Sequence, residues 1–254
     1  VMTSDGAPGS ATNRVSDAKA NSIFWSGDIE FGKWTLEPGI RYEKIKMTRN
    51  DYSTSDADRV NGPTKVRESK IDVVIPGFGA LYAINENWSL LGGIYKGYNP
   101  PAPGSESDAE TSVDYEAGTR YQQGVKNLSA IVFYNDYDNI VGTVTESTGG
   151  GGEIGDQYDG GKAKVAGLEL TSGYTANDSG AINFPLLLTY TWTPVADFRN
   201  SFESDYDPWS DVKTGDELPY IPEHLLQVSA GAVGSSWESF LDVNYTGEPR
   251  TGAR

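Results

Sequence analysis

The sequence predicts an all-β chain that forms part of an antiparallel up-and-down transmembrane β-barrel, with about ten strands. Three observations carry this. Apolar and polar residues alternate with period two many times, and nowhere do apolar residues hold helical spacing beyond a turn or two. The alternating runs are about ten residues long, enough to cross an apolar layer of roughly 25 Å at the usual strand tilt. Tight turns alternate with long links rich in Gly, Asp, Ser and Pro, and links of that length are uncommon inside compact soluble domains.

The runs form five pairs in chain order. In the first, Ile23, Trp25, Gly27, Ile29 and Phe31 share one face; the chain turns at Gly32-Lys33, and Leu36, Pro38, Ile40 and Tyr42 continue that face. Glu37, Gly39, Arg41 and Glu43 lie opposite. The second pair covers about 71–84 and 87–98 around Asn85-Glu86-Asn87, with glycines and Pro76 read as bulge markers. The third is the cleanest: Val113, Tyr115, Ala117, Thr119 and Tyr121 are followed, after Gln123-Gly124, by Leu128, Ala130, Val132 and Tyr134. The fourth runs about 163–176 and 181–193 around Asn177-Asp178-Ser179-Gly180. The fifth sets Leu226, Val228, Ala230 and Ala232 against Trp237, Leu241, Val243 and Tyr245. The long links are about 47–69, 98–111, 138–162 and 194–222, all on one rim. Aromatics such as Trp34, Trp88, Tyr121, Trp192 and Tyr245 sit near strand ends, as interfacial girdles require.

A soluble β-sandwich produces the same alternation, with the apolar faces turned toward a core. Asp28, Glu30, Glu37, Arg41, Asp114, Glu116, Arg120 and Glu169 share the polar face, which suits a hydrated lumen as well as an outer surface. The asymmetry between short turns and long links favours the barrel.

Composition removes several chemistries. With 20 basic and 36 acidic residues, the net charge of −16 repels phosphate backbones, and no Lys/Arg-rich stripe stands out, so no nucleic-acid partner is expected. The absence of cysteine excludes disulfides, thiolate metal sites and cysteine nucleophiles. No stretch approaches the roughly 18 apolar residues of a spanning helix. His224, the single histidine, stands at a strand entry where a rim role is expected. Gly149–Gly152 and Gly160-Gly161-Lys162 lack the Ser/Thr and helix of a phosphate loop. Asp51, Asp56 and Asp58, and then Asp205, Asp207 and Asp211, fit no calcium-loop template. No catalytic residue, resident metal or cofactor is expected. Val1-Met2-Thr3 opens without a charged or apolar export signal, so the sequence is expected to begin within a longer protein.

Several runs resemble the barrel of TonB-dependent outer-membrane receptors, in particular the ferric dicitrate receptor branch. They are Trp34-Thr35-Leu36-Glu37-Pro38-Gly39-Ile40-Arg41-Tyr42-Glu43, Lys96-Gly97-Tyr98-Asn99-Pro100-Pro101-Ala102-Pro103-Gly104 and Glu110-Thr111-Ser112-Val113-Asp114-Tyr115-Glu116-Ala117-Gly118-Thr119-Arg120-Tyr121, the last being the most specific. Phe133–Asn139, Gly167-Leu168-Glu169 and Leu218–His224 follow in the expected order. The likeness covers most of 22–247. Such receptors close their barrel with roughly 22 strands, so it implies that residues 1–254 are an internal part of the barrel domain, without the N-terminal plug or the closing strands.

The resemblance implies a bacterial outer-membrane location, membrane lipid around the barrel, a ferric chelate as ligand and TonB as partner through an N-terminal part. An anionic chelate calls for Arg or Lys near the loop rim. Candidates are Arg49 and Arg59 in the first long link, Lys96 and Tyr98 at the second, Gln157 in the third and Arg199 in the fourth. The excess of acid in these links leaves a cationic or neutral chelate open. The alternative is a secreted carbohydrate-binding or adhesive β-domain using exposed aromatics such as Trp209.

Overall fold

The computed structural model describes residues 12–145, 148, 154–178 and 180–253. The expectations placed on Val1–Thr3, on Gly149–Gly152 and on Ser179 lie outside the described residues. The strands are β1 (Arg14–Ser26), β2 (Ile29–Phe31), β3 (Trp34–Asp51), β4 (Lys65–Ala83), β5 (Trp88–Asn99), β6 (Glu110–Gln123), β7 (Lys126–Asn139), β8 (Val141–Thr143), β9 (Gln157–Asp159), β10 (Ala163–Ala176), β11 (Phe184–Phe198), β12 (Phe202–Glu203), β13 (Asp211–Val212), β14 (His224–Val233) and β15 (Glu238–Thr246). Among the described residues no helix is long and apolar enough to cross a membrane.

One antiparallel meander contains the long strands in the order β1-β3-β4-β5-β6-β7-β10-β11-β14-β15, with β2 continuing beside β3. All five expected hairpins are present. Cross-strand partners share a face of the sheet, so the register joins the apolar sides of the hairpins into one surface. Trp25 pairs with Ile40 and Ile40 with Pro76; Phe78 pairs with Ile94, Ile94 with Tyr115 and Tyr115 with Tyr134. Further along, Val132 pairs with Leu168, Leu168 with Trp192, Leu188 with Val228 and Val228 with Val243.

Among the described residues no second sheet lies against this apolar face. Val132 is 54% exposed and Leu241 68%. A sandwich would bury both, so the soluble alternative fails here, and a continuous exposed apolar surface of this size marks contact with a nonaqueous partner. On β3 the face runs from Trp34 to Tyr42, about 27 Å along the strand and about 21 Å in height at 40° tilt, close to the apolar band of a membrane barrel. Trp34 packs on Tyr82 and Trp88 on Tyr121, each with ring centroids 4.8 Å apart, along the tight-turn edge of the band.

Three sequence expectations are corrected. Strands β1, β3 and β4 extend further than the alternation indicates, so the first long link shrinks to 52–64. The added segments stand beyond the apolar band, where the outward face meets water and the inward face lies under the long links, so the outward apolar set of the band is not continued there. Pro76 marks no bulge: β3 and β4 stay in register through it, and β4 pairs with β5 only from Gly77 onward. Proline has no N–H to extend that second ladder. The third and fourth links are also partly ordered, the third by the β8–β9 hairpin and the fourth by β12–β13.

A hydrophobic core exists beyond the band, on the long-link rim. Val144, Ala163, Phe198, Tyr206, Trp209, Val212, Leu218 and Ala253 are buried together there. It joins the third and fourth links to the segment after β15, where the Ala253 N–H donates to the Pro208 carbonyl at 2.9 Å.

Candidate functional site

The upper parts of β3 and β4 turn one face toward the long links. Ile45, Met47 and Arg49 alternate there as buried residues between exposed Lys44 and Lys46. Arg49 and Arg67 are cross-strand partners, so their stems lie side by side on this face. Asp51, two residues along from Arg49, holds both: it accepts from Arg49 Nε at 2.8 Å and from Arg67 Nη1 at 2.9 Å, with Arg14 Nε 3.9 Å away. Arg49 is only 6% exposed.

Two links close over this pair. Gly104 has φ +75°, and a Cβ there would lie 2.8 Å from Arg49 Cδ and 3.2 Å from Arg67 Cδ. Glycine is required both by the left-handed backbone and by the close passage over the arginine stems. From the third link, the Gln157 side-chain oxygen accepts the Ala102 N–H at 2.6 Å, tying the second link to the third. The result is a cavity of about 300 Å³ lined by Arg49, Arg67, Glu106, Asp156, Gln157 and Tyr158 among others. Two guanidinium groups held by one carboxylate leave N–H donors for a ligand's oxygens, while Glu106 and Asp156 limit the positive charge.

Among the sequence candidates, the fold brings Arg49 and Gln157 together. The others lie elsewhere. Arg59 donates from Nε to Asn13 Oδ1 at 2.9 Å and lies 5.3 Å over the Tyr52 ring, bracing the first link. Lys96 pairs with Val113 on the apolar side of the sheet, and Tyr98 pairs with Thr111. Arg199 is ion-paired with Asp136, whose hydrogen bond and charge raise the guanidinium pKa further. The sequence reading missed Arg67 and Asp51 as site residues. The register of β3 against β4 would have found Arg67, since Arg49 and Arg67 face each other.

The remaining motifs take structural roles. Asp56 closes its own loop by accepting from the Val60 and Asn61 N–H groups at 3.1 and 3.0 Å. His224 Nδ1 meets the Tyr190 hydroxyl at 2.9 Å. Trp209 is buried against Phe198, Phe202 and Tyr206, so it offers no open face to a sugar, contrary to the adhesive alternative. Burial raises the Tyr206 phenol pKa, with the nearby Tyr220 adding to it. No cluster of metal-ligating side chains occurs among the described residues.

A single meander with an apolar outer face, tight turns on one rim and interlocked long links on the other defines an outer-membrane β-barrel protein. The chain belongs to the TonB dependent receptor-like β-barrel family, whose model matches residues 2–253. The pesticin receptor of Yersinia enterocolitica is 26% identical over 230 residues, covering 84% of this chain and 29% of the receptor. The Yersinia pestis pesticin receptor is 24% identical over 227 residues. The chain thus spans about 29% of the length of these relatives. Among solved structures, the siderophore receptor PiuA of Acinetobacter baumannii superposes with a TM-score of 0.67 at 16% identity, over 91% of this chain and 33% of that one. The unliganded ferric citrate transporter FecA gives 0.62 at 17% identity, over 92% and 33%. The ferric yersiniabactin receptor FyuA of Yersinia pestis gives 0.62 at 18%, over 92% and 35%. At these identities the likeness is one of fold.

Proposed function

We propose that the chain is part of an outer-membrane receptor that imports a ferric chelate, energised through TonB. In this reading residues 1–254 supply a portion of the barrel domain, and the plug and the closing strands lie elsewhere in the full-length receptor. The solved structures of similar fold include transporters of ferric citrate and ferric yersiniabactin, which supports a ferric chelate as cargo.

The observation that carries the reading is buried Arg49 beside half-buried Arg67 beneath the second and third links. On an acidic chain, a cation 6% exposed at the mouth of a barrel is costly to place unless it serves recognition or is well paired. Arg49 is paired once, through Nε. The ligand therefore presents carboxylate or phenolate-type oxygens to Arg49 and Arg67, and Gln157 contributes a polar contact at the cavity wall. Arg59, Lys96, Tyr98 and Arg199 stand outside the cavity and take no part in this contact. Binding here needs charge and hydrogen bonds and no covalent step, so the site is one of recognition and not of catalysis.

The test is chelate-dependent growth and equilibrium binding with the full-length receptor carrying Arg49→Ala and Arg67→Ala together. Loss of two charge-assisted contacts predicts binding weaker by about a hundredfold, at roughly 1.5 kcal/mol each. Unchanged affinity for every ferric chelate that supports growth would reject the site.

A further inference from the structure

The outer face of the sheet carries a row of lysines that the sequence does not reveal, because its members are far apart in the chain. Lys19 pairs directly with Lys46, and Lys46 directly with Lys70, across three adjacent strands. Their side chains share one face, and it is the outward face: Ile23, Tyr42 and Val74, cross-strand partners at the upper edge of the continuous apolar band, lie four positions later on β1 and β4 and four earlier on β3. Residues directly opposite in an antiparallel pair hold their Cβ atoms about 5 Å apart, and like charges at that spacing destabilise the sheet.

On this face four lysines, Lys19, Lys44, Lys46 and Lys70, meet three carboxylates, Asp17, Glu68 and Asp72, so one positive charge is left over. Lys46 Nζ is 3.6 Å from Glu68, and Lys44, one row closer to the band, is 3.7 Å from Asp72. Lys19 and Lys70 make no ion pair among the described residues. Further round the same rim three cations are ion-paired: Lys162 with Asp138 at 2.7 Å, Lys164 with Asp197 at 3.4 Å, and Arg199 with Asp136.

Height identifies what lies beside it. Four residues beyond Tyr42 is about 13 Å along the strand and about 10 Å in height at the usual tilt. Lysine stems can bend several Å back toward the apolar edge while keeping the ammonium in the polar layer. That is the level of lipid headgroups on the long-loop side.

We propose that Lys19, Lys46 and Lys70 form a binding site for the phosphate of a lipid headgroup in the leaflet facing the long loops. A phosphate-bearing headgroup seated on the row neutralises the like-charge contacts and fixes the height of the β1–β3–β4 wall in the membrane. The site lies on the opposite face from the Arg49 cavity, so its test reads lipid and not chelate.

The full-length receptor is reconstituted into phosphatidylcholine vesicles with and without lipid A, and brief amine acetylation is read residue by residue by mass spectrometry. Lys19, Lys46 and Lys70 are expected to react more slowly with lipid A present. Lys33 and Lys126, at the tight-turn rim, keep their rates. Equal rates for the three lysines in both vesicles overturn the proposal. Equal protection by inorganic phosphate in phosphatidylcholine vesicles overturns the assignment to a lipid. As a second arm, Lys19→Gln, Lys46→Gln and Lys70→Gln are combined, and folding is verified by heat-modifiable electrophoretic mobility. Lipid A affinity should fall about fivefold per lysine removed; unchanged lipid A per folded receptor contradicts the site.

Discussion

Replacing Val132 with arginine places a charge on the face assigned to lipid. Val132 lies on β7 between Ala117 and Leu168, its cross-strand partners, and is 54% exposed. On β7 the outward apolar set runs from Leu128 to Tyr134, so Val132 stands about 5 Å in height below the aromatic edge at Tyr134 and about 10 Å above Leu128. Arginine at the midplane of a barrel costs about 2–4 kcal/mol, and the off-centre depth places Val132→Arg near about 2–3 kcal/mol. This corresponds to a fall of about thirtyfold to over a hundredfold in the folding constant. Thr171, on β10, faces the other way through its partners Ser129 and Thr189. Thr171→Arg enters a wet surface near Glu169 and should cost less than about 1 kcal/mol. The assay is reversible denaturant unfolding of the full-length receptor in lipid vesicles, followed by tryptophan fluorescence. Equal penalties at the two positions, or a negligible one at Val132, would refute the assignment of faces.

Two further outcomes follow from the loop rim. Gly104→Val puts a branched residue at φ +75° and a Cβ 2.8 Å from Arg49 Cδ. Backbone strain alone is about 1–2 kcal/mol, so the second link should lift from Arg49 and Arg67, weakening chelate binding by about tenfold in a fluorescence titration while leaving the strands intact. The second concerns Tyr206, whose phenol has its pKa raised above the ordinary 10.0 by burial. The neutral phenol is favoured in the folded cap; its contribution is fully present below pH 10 and is lost as pH rises through the higher folded value. Limited proteolysis within 199–223 should therefore accelerate above pH 10, and Tyr206→Phe should abolish that acceleration.

The membrane-spanning part of the fold was legible because lipid on one side and water on the other force strict alternation. Val113 to Tyr121 and Leu128 to Tyr134 needed no other information, and the register places their apolar residues opposite one another. Legibility stopped where the outward face leaves the lipid. Arg14–Ser22 and Lys65–Lys70 alternate weakly, yet they pair through the backbone with β3 for the full length of its outer half. The site went with them: Arg49 was visible as a cation in a link, but its pairing with Arg67 and its tether to Asp51 depend on two strands whose extent the hydrophobic pattern does not record. Gln157 emerged as a rim residue, and its contact with Ala102 required the third link to fold back as a hairpin. The lysine row was hidden for the same reason, since residues 19, 46 and 70 meet only through register.

The orientation of the sheet, apolar face to lipid, is tested most directly by a label scan along one strand. The chain has no cysteine, so single cysteines introduced from Val113 to Tyr121 in an otherwise cysteine-free full-length receptor can carry spin labels in lipid vesicles. Oxygen accessibility should peak at 113, 115, 117, 119 and 121, with a water-soluble relaxation agent favouring 114, 116, 118 and 120. Uniform accessibility along the strand, or the inverse alternation, would contradict an apolar face turned to lipid.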